Sequence, residues 1–169
     1  VLAGRGLEID YAQVIKDDPE EIRRFFSQSW ERAGLIITTA GLGPTVDDLT
    51  RETVAEVLGL PLLFDEGILS LIEERFARRK RPKPESHRKQ CYVPQGAEIL
   101  RNESGTAPGL FIEKDGKILV MLPGPPHERN PMLENEVLPR LEGRGILHDS
   151  ESYVGFRTVG IGESSLEEK

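Results

Sequence analysis

The run Leu35-Ile36-Ile37-Thr38-Thr39-Ala40-Gly41-Leu42-Gly43-Pro44-Thr45-Val46-Asp47-Asp48-Leu49-Thr50 constrains this chain more than any other stretch. Leu35, Ile36 and Ile37 are apolar and mostly β-branched, which predicts a short strand covered on both faces. Gly41 and Gly43 can take backbone angles closed to other residues and let a ligand approach the main chain. Thr45 stands where an N-cap would, and Asp48 three residues on has the form of a capping box. A helix from about Val46 to Leu58 is therefore expected, ended by Gly59 and Pro61. Its first-turn N–H groups would be free to face an anion or phosphate. Asp47 and Asp48 add two carboxylates beside that phosphate, the hard oxygen ligands that Mg²⁺ takes. The plainer reading is equally open, since strand, glycine turn and helix recur throughout α/β proteins and a first-turn Asp often only caps. The spacing is neither a P-loop nor G-x-G-x-x-G.

At 169 residues the chain is long enough for one domain with a real core and a small second unit. Its 37% hydrophobic and 30% charged residues fit a soluble globular protein. No stretch approaches the roughly 18 apolar residues of a membrane helix, so no membrane partner is expected. No signal peptide is visible. The single cysteine, Cys91, has no disulfide partner and no zinc-site companions, so an inert half-buried thiol in a reducing cytoplasm is expected. The net charge of −7 argues against nucleic-acid binding. Against that background Arg75, Arg78, Arg79, Lys80, Arg81, Lys83, Arg88 and Lys89 cluster around the lone Glu85. Such a patch fits a small phosphorylated ligand; a solvated helix end and charged loop is the competing reading.

Val1 to Gly6 reads as the end of a helix, and Leu7 to Ile15 as a strand. Asp18 is a helix cap, Pro19 suits the first helical position, and Glu21 completes a capping-box pattern. Ile22, Phe25, Phe26 and Trp30 then form an apolar stripe that Gly34 stops. Asp65 opens another helix, with Ile68, Ile72 and Phe76 on one face, which Pro82 and Pro84 break. Arg88 and Lys89 in Ser86–Cys91 are good phosphate partners. Tyr92 to Leu100 reads as loop leading into a short strand. Arg101 to Gly109 is a second glycine-rich turn. Its Asn102 and Thr106 suit a base, ribose or phosphate, unless Asn102 only caps its own backbone. Leu110–Lys114 and Lys117–Leu122 form a hairpin about Asp115-Gly116. Pro123-Gly124-Pro125-Pro126 gives a rigid wall that a ligand can approach at Gly124. Glu128 lies near the next helix start, where it caps, or binds metal or ribose. That helix turns Met132, Val137, Leu138 and Leu141 inward. Beyond Gly143 come a linker, a strand over Tyr153–Val159, and a helix start at Gly162–Leu166.

Gly41-Leu42-Gly43-Pro44-Thr45-Val46-Asp47-Asp48-Leu49-Thr50 strongly resembles the GLGPTxDDLT signature of the CinA family, whose domain is similar to the molybdopterin-binding domain of MogA and MoaB proteins. A second glycine usually precedes that signature; here it is Ala40. Further blocks follow in the family's order. Ser86–Cys91 is similar to an NRKQA pattern, with His87 for Asn and Cys91 for Ala. Asn102–Gly109 matches N-x-x-GTAPG, and Pro123–Glu128 resembles PGPPxE. Val159–Ser165 resembles the beginning of the small KH-like domain that follows in CinA proteins. The resemblance implies a three-layer α/β/α fold with a mainly parallel, mixed sheet and a pocket at the carboxyl ends of its strands. It implies a MogA/MoaB-like domain over 1–143 lacking its first strand, then a linker and a truncated KH-like unit over 144–169. It also implies a homo-oligomer, dimer or trimer.

In CinA proteins this domain is associated with metal-dependent hydrolysis of ADP-ribose and related pyrophosphates; in molybdopterin relatives the pocket binds a pterin phosphate. A separate C-terminal domain of many members, which deamidates nicotinamide mononucleotide, is not represented here. Transferred to this chain, Gly41, Leu42, Gly43, Pro44 and Thr45 hold a phosphate, and Asp47 and Asp48 hold Mg²⁺, Mn²⁺ or Co²⁺. A metal-bound water is then activated, and Lys89 or Arg88 stabilises charge on the leaving phosphate. Asp48 matches the aspartate of the D-V-T motif of molybdopterin relatives. Asn102, Gly105, Thr106, Pro123, Gly124, Pro125, Pro126 and Glu128 line the rest of the pocket. His87 and His127 are expected at the surface. A nucleotide-pyrophosphate hydrolase, a molybdopterin-binding domain of cofactor assembly, and a non-catalytic nucleotide-binding or oligomerisation module all remain open, because one fold serves many chemistries.

Overall fold

Aspartates cap two of the helices. The computed structural model describes residues 2, 6, 7 and 9–147. Asp18 Oδ1 accepts from the backbone N–H groups of Glu20 and Glu21, both at 3.0 Å, and Pro19 follows as the first residue of α1 (Pro19–Arg32). The chain then passes Gly34 into β1 (Leu35–Thr39), α2 (Thr50–Val57) and β2 (Leu62–Phe64). Asp65 caps α3 (Glu66–Arg78) by accepting from the Ile68 N–H at 2.8 Å. A 3-10 helix (Glu85–Cys91) leads to β3 (Tyr92–Pro94), β4 (Glu98–Leu100), β5 (Gly109–Lys114) and β6 (Lys117–Leu122). The described chain closes with α4 (Pro126–Met132), a π turn (Leu133–Val137) and α5 (Leu138–Gly143). The π turn falls where Pro131 and Pro139 each withhold an N–H from the helical ladder.

The main sheet has the order β1-β6-β5-β4. β1 lies parallel to β6, from Leu35 beside Ile118 to Thr39 beside Leu122. β6 returns antiparallel on β5 through Asp115 (φ 52°) and Gly116 (φ 72°), the positive pair that a tight hairpin demands. β4 is antiparallel to β5. The α/β class and mixed sheet are as expected. The parallel share is smaller than expected, because the two-residue turn after β5 and the short return from β4 can only make antiparallel pairs.

Side-chain alternation on β5 and β6 builds the two cores. Leu110, Ile112, Leu119 and Met121 face Ile22 and Phe26 of α1, Val54 of α2, and Ile68 and Ile72 of α3. Phe111, Ile118, Val120 and Leu122 face the other way, against Met132, Val137 and Leu141. The sheet is thus sandwiched between two helical layers. Burying these side chains contributes about 25 cal/mol per Å² of apolar surface.

Several expectations need correction. The described residues of Leu7–Ile15 form no strand: Ile9, Tyr11 and Val14 are exposed, and no neighbouring strand supplies ladder hydrogen bonds. Leu7 and Ile15 pack against the two cores instead. Tyr92–Pro94 is not loop but pairs with β2 in a separate two-stranded ladder, Phe64 beside Tyr92. The helix after the signature begins at Thr50 rather than near Val46. The KH-like unit and its strand over Tyr153–Val159 lie outside the described residues, as do most of Val1–Gly6. Among the described residues no helix is long and apolar enough to cross a membrane.

Candidate functional site

Parallel pairing brings the carboxyl ends of β1 and β6 side by side. The signature turn leaves β1 there, and the Pro123–Pro126 loop leaves β6. Since β5 is antiparallel to β6, the 101–108 loop enters the sheet at the same end. All three glycine-containing loops therefore meet. The Ala40 N–H donates to the Leu122 carbonyl at 2.9 Å. Asn102 Nδ2 donates to Glu128 Oε2 at 2.7 Å, joining the second loop to the third. Asn102 also caps its own turn, its Oδ1 accepting from the Ser104 and Gly105 N–H groups at 3.0 and 2.7 Å. A Cβ on Gly105 would overlap the Glu128 carboxylate, so a larger residue there would displace the Glu128 side chain from its bond to Asn102. Thr106 is half-buried in the same loop.

Arg75 holds this loop from α3, donating to the carbonyls of Asn102, Glu103 and Gly105 at 3.4, 2.8 and 2.5 Å. The basic run of the sequence contains Arg75 but carries no sign of this role, because its partners are 27 to 30 residues away.

Within the signature turn, the carboxylate half of the expected capping box forms, but the Thr45 hydroxyl donates to Asp48 instead of capping α2. Asp48 Oδ2 accepts from the Thr45 N–H at 2.9 Å and the Thr45 hydroxyl at 2.6 Å. Leu49 occupies the cap position of α2 without a side-chain cap. The carboxylate, the stronger acceptor, binds back into the turn. Gly43 makes this possible, since a Cβ there would overlap that carboxylate. Burial alone would raise the Asp48 carboxyl, but the Thr45 hydroxyl and amide, the Gly43 amide and the Lys89 charge hold it below its ordinary value. Asp48 is thus an anion at neutral pH, and Asp47 beside it is exposed.

Ala40 has φ 81°, in the left-handed region that favours glycine. A Cβ built on Gly124 would lie 3.2 Å from that of Ala40, so the proline loop rests closely on the strained residue. Ala40→Gly is expected to stabilise the protein by ~0.5–1 kcal/mol, the relief of left-handed strain exceeding glycine's entropy cost. A rise in the urea midpoint at unchanged m-value checks this, and an unchanged or lowered midpoint would contradict it.

The expected phosphate cations part company. Lys89 Nζ donates to the carbonyls of Thr45, at 3.1 Å, and Asp48, and lies 3.7 Å from Glu52 Oε1. The Arg88 guanidinium instead lies 4.5 Å over the Phe64 ring on β2. Gln90 is fully buried and its Nε2 donates to the Leu42 carbonyl at 3.4 Å. His87 is half-buried, not a surface residue: its ring packs edge-on against Phe76 with centroids 4.9 Å apart, and burial lowers its pKa. His127 is exposed, 3.8 Å from Glu128. Cys91 is fully rather than half buried, and burial pushes its thiol up.

Among the described residues no three His, Cys, Asp or Glu side chains gather as a metal cage. Asp47 and Asp48 offer hard oxygens from one turn, with Asp48 Oδ2 already committed to Thr45. That donor set fits a divalent ion completed by substrate phosphates and water, as Mg²⁺ is usually carried. The grooves along Glu113–Ile118 with Arg144, and along Lys16–Arg24, lie away from the three loops.

Comparison with known proteins places this geometry. A family profile described as "Probable molybdopterin binding domain" matches residues 1–143. Two relatives are named competence-damage inducible proteins. That of Caldicellulosiruptor bescii is 47% identical over 167 residues, covering 99% of this chain and 40% of the relative. That of Symbiobacterium thermophilum is 46% identical, covering 98% and 39%. The crystal structure of CinA from Thermoplasma acidophilum, described as of unknown function, superposes with a TM-score of 0.73 at 31% identity, covering 87% of this chain and 83% of that one. The chain belongs to the CinA family. It spans about 40% of the length of the curated CinA relatives it matches. The molybdopterin biosynthesis enzyme MoaB of Thermus thermophilus shares the CinA domain's fold, with a TM-score of 0.52 at 23% identity over 85% of this chain and 76% of that one.

Proposed function

We propose that this CinA domain binds a small phosphorylated nucleotide at the three-loop end of the sheet and hydrolyses a pyrophosphate such as ADP-ribose with a divalent metal. The observation that carries the reading is the ionised Asp48 carboxylate, locked into the signature turn beside Asp47 where the three loops converge. Asp47 and Asp48 would hold Mg²⁺, Mn²⁺ or Co²⁺. A divalent ion there supplies charge neutralisation of the pyrophosphate and lowers the pKa of a bound water. The amides of the signature turn face the phosphate. The Pro123–Pro126 loop and the Asn102–Thr106 turn wall the other side, and Glu128, steadied by Asn102, accepts from a ribose hydroxyl. Lys89 adds positive potential beneath the turn. The protein acts in the cytoplasm as a homo-oligomer.

Conversion of ADP-ribose to AMP and ribose phosphate by the full-length protein tests the reading. Chelation with EDTA is expected to remove turnover, and added Mg²⁺, Mn²⁺ or Co²⁺ to restore it. Turnover indifferent to EDTA would remove the metal from the mechanism, and no turnover with any of the three ions would remove the hydrolase. The family profile's description supports a second reading, a pterin-phosphate binding domain. Tight pterin binding without hydrolysis would select it.

A further inference from the structure

Lys89 and Gln90 are adjacent on the 3-10 helix, and both bind backbone carbonyls of the signature turn. Gln90 Nε2 takes the Leu42 carbonyl at 3.4 Å, and Lys89 Nζ takes those of Thr45, at 3.1 Å, and Asp48. Glu52 of α2 lies 3.7 Å from the same ammonium and also accepts from the Arg51 guanidinium at 2.6 Å. Gln90 and Arg51 are 0% and 1% exposed, whereas the Lys89 and Glu52 side chains are partly exposed, so the frame runs from the interior to the surface beside the turn.

A trans peptide points its C=O and the following N–H to opposite sides, and the described chain has no cis bond. Holding the Thr45 and Asp48 carbonyls on Lys89 therefore turns the Val46 and Leu49 N–H groups away from it. Among the described residues no protein acceptor takes those two N–H groups, and Val46 is 85% exposed. The Gly43 N–H, opposite the Leu42 carbonyl, goes to the Asp48 carboxylate instead.

We infer that Lys89 is a positioning residue: it holds the carbonyls of Thr45 and Asp48 inward so that the Val46 and Leu49 N–H groups face a bound pyrophosphate. This deepens the proposed function and rests on it for the ligand class. It differs from a direct Lys89–phosphate contact, because the ammonium's hydrogens are already directed at the turn and at Glu52. Orienting dipoles ahead of ligand arrival is the efficient way to hold an anion, since no reorganisation is then required on binding.

The test titrates inorganic pyrophosphate with Mg²⁺ into ¹⁵N-labelled full-length protein, following the Val46 and Leu49 amides and the Lys89 side chain. In the wild type the two amides are expected to shift and the Lys89 ammonium to keep its protected, carbonyl-bound signature. Lys89→Met is expected to weaken pyrophosphate binding on the order of tenfold, the effect of losing a hydrogen bond or two, and to shrink the amide shifts. Lys89→Arg, which can still reach carbonyls, is expected to restore both. Thermal melts identify a variant that fails to fold, and Lys89→Arg then carries the test alone. A Lys89 resonance that moves on binding while the amides stay still would overturn the positioning role and leave the hydrolase reading intact. Amide shifts without ADP-ribose turnover would support the positioning role and defeat the hydrolase. No pyrophosphate binding by the wild type would overturn both.

Discussion

Asp48→Ala is expected to lower ADP-ribose turnover by on the order of 10²–10³-fold in the full-length protein, the scale seen when a group that organises developing charge is removed. Two losses combine. The substitution deletes the oxygen donor proposed for the metal, and it frees the Thr45 N–H and hydroxyl that the carboxylate binds at 2.9 and 2.6 Å. Asp48→Asn separates them, since an amide oxygen can still accept from Thr45 while offering the metal no charge. Turnover lost in both variants, with the fold kept in Asp48→Asn, would place the effect on the metal; wild-type turnover in Asp48→Asn would assign Asp48 to the turn alone. The pH dependence of stability gives a second reading. The folded pKa of Asp48 is depressed, so its stabilisation is complete above the ordinary carboxylate pKa of about 4 and is lost as pH falls below it. The stability gap between wild type and Asp48→Ala is accordingly expected to be constant near neutrality and to close on acidification. A gap that persists at the lowest pH would contradict the hydrogen bonds described.

Gly41→Ala is expected to cost ~2–5 kcal/mol of stability, combining left-handed strain with overpacking. Gly41 has φ 72°, and an added Cβ would overlap the Thr50 side chain at the first residue of α2. Gly59 supplies the control: its φ is 64°, but nothing lies within 4 Å of a Cβ built there. Gly59→Ala should therefore cost only the strain, about 1–2 kcal/mol. Denaturant unfolding of both variants measures the difference. Equal costs would show that the turn and α2 are not in close contact at Gly41, and that the signature glycine serves backbone conformation alone.

Much of the architecture is local and was readable. Asp18 and Asp65 cap α1 and α3 because a short carboxylate can reach the N–H groups two or three residues ahead. Asp115-Gly116 closes the β5–β6 hairpin because both residues take positive φ. Met132, Val137, Leu138 and Leu141 are buried as their spacing predicts. The CinA signature is likewise a contiguous string, so family and fold class were legible from it. The three-residue strands β2 and β3 were not, since neither is long enough to display a period and each adjoins or contains a proline. Leu7–Ile15 shows the opposite failure: its apolar residues suit a strand, but strand formation depends on a neighbour.

The site divides along the same line. The sequence alone singled out the residues proposed to carry the chemistry, because Asp47 and Asp48, the glycine turns and the proline loop are types whose conformational and charge properties travel with them. Only the tertiary structure decided what those residues do to one another. The β1–β6 pairing brought three distant loops together, and the Asn102–Glu128 bond joined two of them. Folding also carried Lys89 and Gln90 under the turn, more than forty residues along the chain from the carbonyls they bind, and sent Arg88 to Phe64 instead. Arg75 became a loop anchor in the same way. A hydrogen bond between residues far apart in sequence depends on distance and direction in space, and those are set by how the sheet and helices pack.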